Sequence, residues 1–262
     1  MNLMSREATA AYRLVHSFPL FDLADESGTI SVCVIGSDPF CEEYLKAAVW
    51  STQRDGFRIK LDLYTTDAEC ERLERCLPEI IHTAGLSDSR EIFYEVRLRS
   101  EKPSGDYCIM LTSVPIAGSF PVNAAKTAVI SDICGSQENG NSSGMDYFRK
   151  SGLEKQALSL ARSFGNSAER FYNDGFRYRS SIAAALFWDI RRRQGESIEV
   201  CEKNMQLEHR RWNAFTRTEG YRFGTVRSDQ VKTHPCLVAW DMLSSAYQQY
   251  DAAPIRNAGS YV

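Results

Sequence analysis

One stretch of the 262-residue chain concentrates side chains able to hold a charged, planar ligand. Glu208, His209, Trp212, Arg217 and Glu219 lie close together, and Tyr221, Lys232, His234 and Trp240 follow. Guanidinium and ammonium groups hold phosphates, an indole stacks on a base, and a carboxylate reads a base edge or a ribose. Glu208, Trp212, Phe215 and Glu219 are spaced by four, three and four, which puts them on one stripe of a helix. His209 flanks Trp212 three positions back. Two carboxylates on an aromatic stripe need partners if they are buried. Arg217, Arg177, Arg179 and Lys232 are the candidates. The competing reading makes Trp212, Tyr221 and Trp240 the core of a unit of roughly 50 residues, which needs every aromatic it has, with the charges closing its rim. His234-Pro235 reads as a rigid turn with a hydrogen-bonded histidine ahead of a catalytic base.

Other chemistries find less support. There is no GxSxG elbow and no Cys–His pair in a known motif. Glu42 and Glu43 are adjacent on a helical pattern and point apart, as on a solvated face. The eight cysteines form no CxxC pair, which suits reduced, structural thiols in a cytoplasmic protein. The four histidines lack zinc-site spacing, so no metal is expected. Arg191, Arg192 and Arg193 close a helix, where cations favour the dipole. No aromatics alternate with them, so nucleic acid is not the expected partner.

The residues from 207 onward carry a resemblance. They run Leu207-Glu-His-Arg-Arg-Trp212, Arg217, Glu219-Gly220-Tyr221 and Gly224. They continue as Lys232-Thr-His234-Pro-Cys-Leu-Val238, Leu243 and Tyr250-Asp251. Over roughly residues 200–252 this resembles the ryanodine-receptor repeat (RyR) domain. Ala239 stands where that pattern has proline, and Gln248 where it has lysine. With Tyr178-Arg-Ser-Ser-Ile-Ala-Ala-Ala-Leu186 upstream, the chain looks like bacterial proteins that join a Rossmann-like domain to a RyR domain. The resemblance implies a nucleotide-type ligand and a place in anti-phage or stress systems.

The elements that must position these residues follow from periodicity. Ile30–Ile35 is a short β-branched run that stops at Gly36-Ser37-Asp38-Pro39. Phe57–Tyr64 and Ile92–Leu98 alternate with period two, and Tyr107–Leu111 is a fourth strand candidate. Helical patterns follow Pro39, cover Ala68–Ile81, and are expected over Val122–Ala128, ahead of a strand at Val129-Ile130-Ser131. Strand–helix alternation predicts an α/β, Rossmann-like, mostly parallel sheet. Gly36 and Ser37 mark where such a fold meets a phosphate at a helix N-terminus. The GxGxxG glycines are absent, Asp38 would repel a pyrophosphate, and Thr65 and Thr66 stand where a ribose-binding acid belongs. No dinucleotide cofactor is expected.

Residues 1–134 thus read as the Rossmann-like domain, opening with a loosely helical lead-in over 1–28. Residues 135–150, rich in Gly, Ser and Asn, read as a linker. Residues 151–199 form a helical connector, with Leu153–Phe164 and Ile182–Arg193 as helices, the latter capped by Ser180-Ser181. Residues 200–262 form the mainly α-helical RyR-type domain, with a helix over Glu199–Thr218 and a closing one over Asp241–Tyr250.

Composition bounds the rest. The chain is 43% hydrophobic and 25% charged, as globular domains are. No apolar run suggests a membrane span and no signal peptide is expected. Residues 1–148 carry 13 Lys and Arg against 22 Asp and Glu, whereas residues 149–232 carry 17 against 10. The basic half therefore either faces an anion or its acidic neighbour, or is a solvated charged face. These features favour a non-catalytic ligand-binding or sensing protein for a small nucleotide-like ligand, with assembly as a homo-oligomer. The alternatives are an enzyme acting on a nicotinamide or adenylated nucleotide through the sheet domain, and a structural assembly module.

Overall fold

A computed structural model describes residues 3–112, 122–129 and 145–260. Helix α1 (Arg6–Ser17) opens the chain, with Ser5 accepting from Ala8 N at its N-terminus. Five parallel strands follow: β1 (Thr29–Ile35), β2 (Arg58–Tyr64), β3 (Tyr94–Arg99), β4 (Gly105–Thr112) and β5 (Val122–Val129). Their order is β3-β2-β1-β4-β5, all neighbours parallel. This is the Rossmann-like arrangement read from the alternation of strands and helices. Helix α2 (Pro39–Ser51) links β1 to β2, and α3 (Asp67–Cys76) with the short α4 (Pro78–Ile81) links β2 to β3. β3 passes to β4 through residues 100–104 with no helix between them.

The expected helix over Val122–Ala128 is instead strand β5. Its alanines favour a helix locally, but pairing with the free edge of β4, from Gly105↔Val122 to Thr112↔Val129, satisfies the backbone and decides the outcome. Val129 closes that strand, so the separate strand at 129–131 does not stand as expected; Ile130 and Ser131 lie outside the described residues, as do linker positions 135–144.

Strand alternation sorts the sheet's two faces. Ile30, Val32, Val34, Ile59, Leu61 and Leu63 are buried in the main core. The opposite face carries Lys60, Asp62, Glu95 and Arg97. There the Arg97 guanidinium grips Asp62 at 2.6 and 2.9 Å, and Tyr107 Oη donates to the same carboxylate at 2.6 Å. A small apolar cluster of Cys33, Tyr64 and Met110 lies beside this network.

The second half is helical: α5 (Met145–Lys150), α6 (Leu153–Ser163), α7 (Ala168–Asn173), α8 (Gly175–Arg193), α9 (Glu202–Thr218), α10 (Ser245–Gln248) and α11 (Ala252–Gly259). Two short paired strands, β6 (Arg222–Phe223) and β7 (Thr233–His234), follow α9. Helix α8 begins earlier than expected, because Asp174 accepts from Arg177 N at 3.0 Å and takes the capping role. Ser180 and Ser181 therefore lie inside the helix. The closing helix expected over Asp241–Tyr250 is broken into short turns, with α11 beyond it.

One buried cluster runs from the sheet through α2 into α8 and α9. Trp50 on α2 shows the join, since its ring meets Tyr12 of α1 at 4.9 Å and Phe215 of α9 at 6.5 Å, edge to face. Helix α4 and the segment from it to β3 clamp the same join. Glu79 Oε1 accepts from Phe223 N, Glu91 accepts from Trp240 N, and Asp88 accepts from Asn213 Nδ2.

Candidate functional site

A cavity of about 500 Å³ opens between α6, α8, α9 and the segment from β7 to α11. That is within the size range of small-molecule sites. Glu208, His209, Trp212, Tyr221 and His234, all expected from the sequence, line it. The helical stripe delivers Glu208 and Trp212, but it sends Phe215 into the core and Glu219 to a different cleft.

Trp212 is half-buried and forms one wall. The His209 ring lies nearly parallel to it at 6.2 Å, and the His234 ring meets it edge-on at 4.8 Å. Cys236 N donates to His234 Nδ1 at 3.2 Å. Nδ1 is thereby the acceptor, and a neutral ring carries its proton on Nε2. Burial, reinforced by Arg227, pushes this imidazole down to about 4, so it stays neutral at physiological pH.

His209 is fixed on both sides. Its Nε2 donates to Val238 O at 2.9 Å, and its Nδ1 faces Asp251 Oδ2 at 3.4 Å. Burial opposes the charged ring, but the bond and charge of Asp251 outweigh it and raise the pKa. Glu208 is 1% exposed and fully engaged. It accepts from Trp188 Nε1 at 2.8 Å and from Arg211 at 3.0 and 2.6 Å. It therefore shapes the wall of the cavity and has no oxygen left over for a ligand.

Four expected residues sit elsewhere. Arg217 is buried against Asp88 and Glu79 and does not line the cavity. Its position on α9, off the stripe, turns it toward the sheet side, where two carboxylates neutralise it. Lys232 and Glu219 line a second cleft of about 360 Å³ with Glu42, Glu43, Lys46 and Arg179. There Arg179 pairs with Glu219, and Lys232 Nζ donates to Glu219 O at 2.6 Å. Lys232 has a positive φ of 52°, a conformation that ordinary side chains adopt rarely. Trp240 is buried behind His209, with ring centroids 5.9 Å apart, and acts as packing.

The cavity recruits groups that the stripe did not single out as site residues. Arg177, Arg211 and Arg227 supply its cations, with Arg211 held by Glu208. Arg177 spends Nε on Asp174 and Nη1 on Asn166, while among the described residues Arg227 is held only by 3.4 Å contacts to Asp229. Asp251 supplies a carboxylate, and Ser180 and Ser181 supply hydroxyls that bond no protein group among the described residues. Phe164, Tyr247 and Tyr250 edge the cavity and remain well exposed. The closing Tyr250-Asp251 pair was the one sequence signal for these groups. The arginines come from segments that no single periodicity joins.

At the β1–α2 turn, Gly36 and Ser37 lead into a helix whose first amides are already engaged. Asp38 Oδ1 accepts from Phe40 N at 2.9 Å, and its other oxygen accepts from Cys41 Sγ at 3.3 Å. A carboxylate of the chain itself thus occupies the place where such folds receive a phosphate. Among the described residues, no three His, Cys, Asp or Glu side chains are placed to hold a metal ion, and no helix is long and apolar enough to cross a membrane. No protein-family model, curated protein or solved structure matches the chain.

Proposed function

We propose that the chain is a non-catalytic binding or sensing protein for a small nucleotide-type ligand, with its site in the cavity beside Trp212. The carrying observation is the composition of that one space. A half-buried indole face, two incompletely paired arginines, a carboxylate, a neutral histidine donor and free hydroxyls converge there. A base stacked on Trp212 is held by dispersion and π contacts, worth about 1–3 kcal/mol per base. Arg177 and Arg227 receive the phosphate, and Asp251 reads N–H or O–H donors.

The non-catalytic assignment rests on the same geometry. Both His209 nitrogens are committed to structural partners. The thiol of Cys236 is raised by burial and is not a thiolate nucleophile. The resemblance to RyR domains supports the ligand class and extends the reading to bacterial anti-phage or stress responses.

The test is isothermal calorimetry of the full chain with AMP and GMP. Saturable binding is expected, weakened about tenfold by Arg227→Gln, on the order of 1.4 kcal/mol. Absence of binding at millimolar concentrations of both nucleotides overturns the proposal.

A further inference from the structure

Three aromatic rings at the mouth of the cavity are unexplained by folding. Phe164 is 42%, Tyr247 50% and Tyr250 60% exposed. They come from the end of α6, from α10 and from the turn that follows it, yet they gather into one group. Tyr250 lies 6.3 Å from Phe164 and 6.2 Å from Tyr247, with tilted planes. All three line the same cavity as Trp212. Core packing does not require them there, since each gives about half its surface to water. A contiguous exposed aromatic group bordering a cavity marks a ligand surface.

The cavity thus has two aromatic shelves, Trp212 at the inner wall and Phe164–Tyr250–Tyr247 at the rim. Arg177 and Arg227 belong to the same lining. A mononucleotide has one planar group and can use one shelf. We infer that the site takes a ligand with two planar heterocycles joined through phosphate, a dinucleotide, with one base on Trp212 and the other on the rim aromatics. The inference rests on the nucleotide reading above and adds the second base. The gain comes from joining: once one base is seated, the second meets its shelf at high effective concentration.

The experiment compares calorimetric affinities of pApA with AMP and of pGpG with GMP on the full chain. For at least one pair, the dinucleotide is expected to bind tenfold or more tightly than its mononucleotide. Tyr250→Ala and Phe164→Ala are each expected to bring that ratio down toward one. The exposure of both side chains keeps the variants folded, which an unchanged circular dichroism melt checks. Phe164→Leu, which keeps apolar bulk without a ring, separates stacking from mere coverage and is expected to lose the ratio as well. Equal affinities for dinucleotide and mononucleotide overturn the second shelf and leave the nucleotide site standing. A tenfold ratio that survives both alanine variants also overturns it. If none of the four compounds binds, the nucleotide reading itself fails and this inference falls with it.

Discussion

The Arg217 guanidinium and the Asp88 carboxylate, 129 positions apart in the chain, meet in a two-pronged pair at 2.8 Å on each arm. Both side chains are nearly inaccessible, at 2% and 3%. The pair joins the last turn of α9 to the segment that enters β3, and Glu79 completes it by accepting from Arg217 Nε at 3.0 Å. A cation at this position therefore serves the fold, and the neighbouring cavity draws its positive charge from other residues.

Removing one partner of such a pair strands the other as a buried charge. Arg217→Gln is expected to cost about 3–5 kcal/mol of stability. Urea denaturation followed by tryptophan fluorescence measures it. Adding Asp88→Asn removes the stranded charge and recovers part of the loss. A loss under 1 kcal/mol for the single variant would show the pair to be dispensable.

Lys232 and Arg227 make a contrast within one loop. Lys232 faces the second cleft and Arg227 the cavity. Lys232→Gln is expected to leave AMP and GMP affinities within twofold of wild type. Arg227→Gln weakens the nucleotide that binds about tenfold. Equal losses in the two variants would mean that the charge field of the whole basic half, and not contact at the cavity, governs affinity.

Asp38 has a double role at the β1–α2 turn. Asp38→Ala removes a side-chain cap, with an expected cost of about 1 kcal/mol, read as a fall of a few degrees in Tm. In the wild-type chain the same carboxylate opposes a pyrophosphate at Gly36 and Ser37. With the cavity disabled by Arg227→Gln and Tyr250→Ala together, NAD and NADP are therefore expected to bind no better than high-micromolar by calorimetry, and a low-micromolar Kd in that variant would contradict this account of the turn.

His234 gives stability a pH dependence of known sign. Its folded-state pKa is about 4 against an ordinary 6.5, with burial as the main cause. The unfolded chain accordingly takes up this proton first as the pH falls. The contribution of the neutral ring is complete above pH 6.5 and declines down to about pH 4. His234→Gln lacks this term. The stability difference between wild type and variant should shrink steadily across that window in urea titrations at several pH values. A difference that is constant with pH would place the ring in solvent.

What could be read from the sequence divides along physical lines. β1, β2 and β3 were legible because apolar side chains alternate or cluster over a single short segment. Helix α9 was legible because its stripe is local, and that stripe and its neighbour put Trp212 and His209 on the cavity side. Strand β5 was hidden, since its alanine-rich sequence prefers a helix and only the edge of β4 makes it a strand. Arg217 was assigned to the ligand because spacing shows that a residue shares a helix but not which side will meet a distant carboxylate. Arg177, Arg227 and Asp251 come from three separate segments. Their convergence is a property of packing between elements, which no local pattern encodes.

The continuity of the core across Trp50 and Phe215 has a consequence for cutting the chain. The N-terminal and C-terminal portions bury apolar surface against each other, so a break in the backbone between residues 135 and 144 removes a covalent bond and leaves the described part of that shared interior in place. The two pieces should then behave as subunits of a heterodimer. They would co-elute in size exclusion after proteolysis, separate only in denaturant, and reassemble when expressed as two polypeptides. In such a split protein the intact cavity, whose described lining lies wholly in the second piece, would report through nucleotide binding whether the first piece is in place.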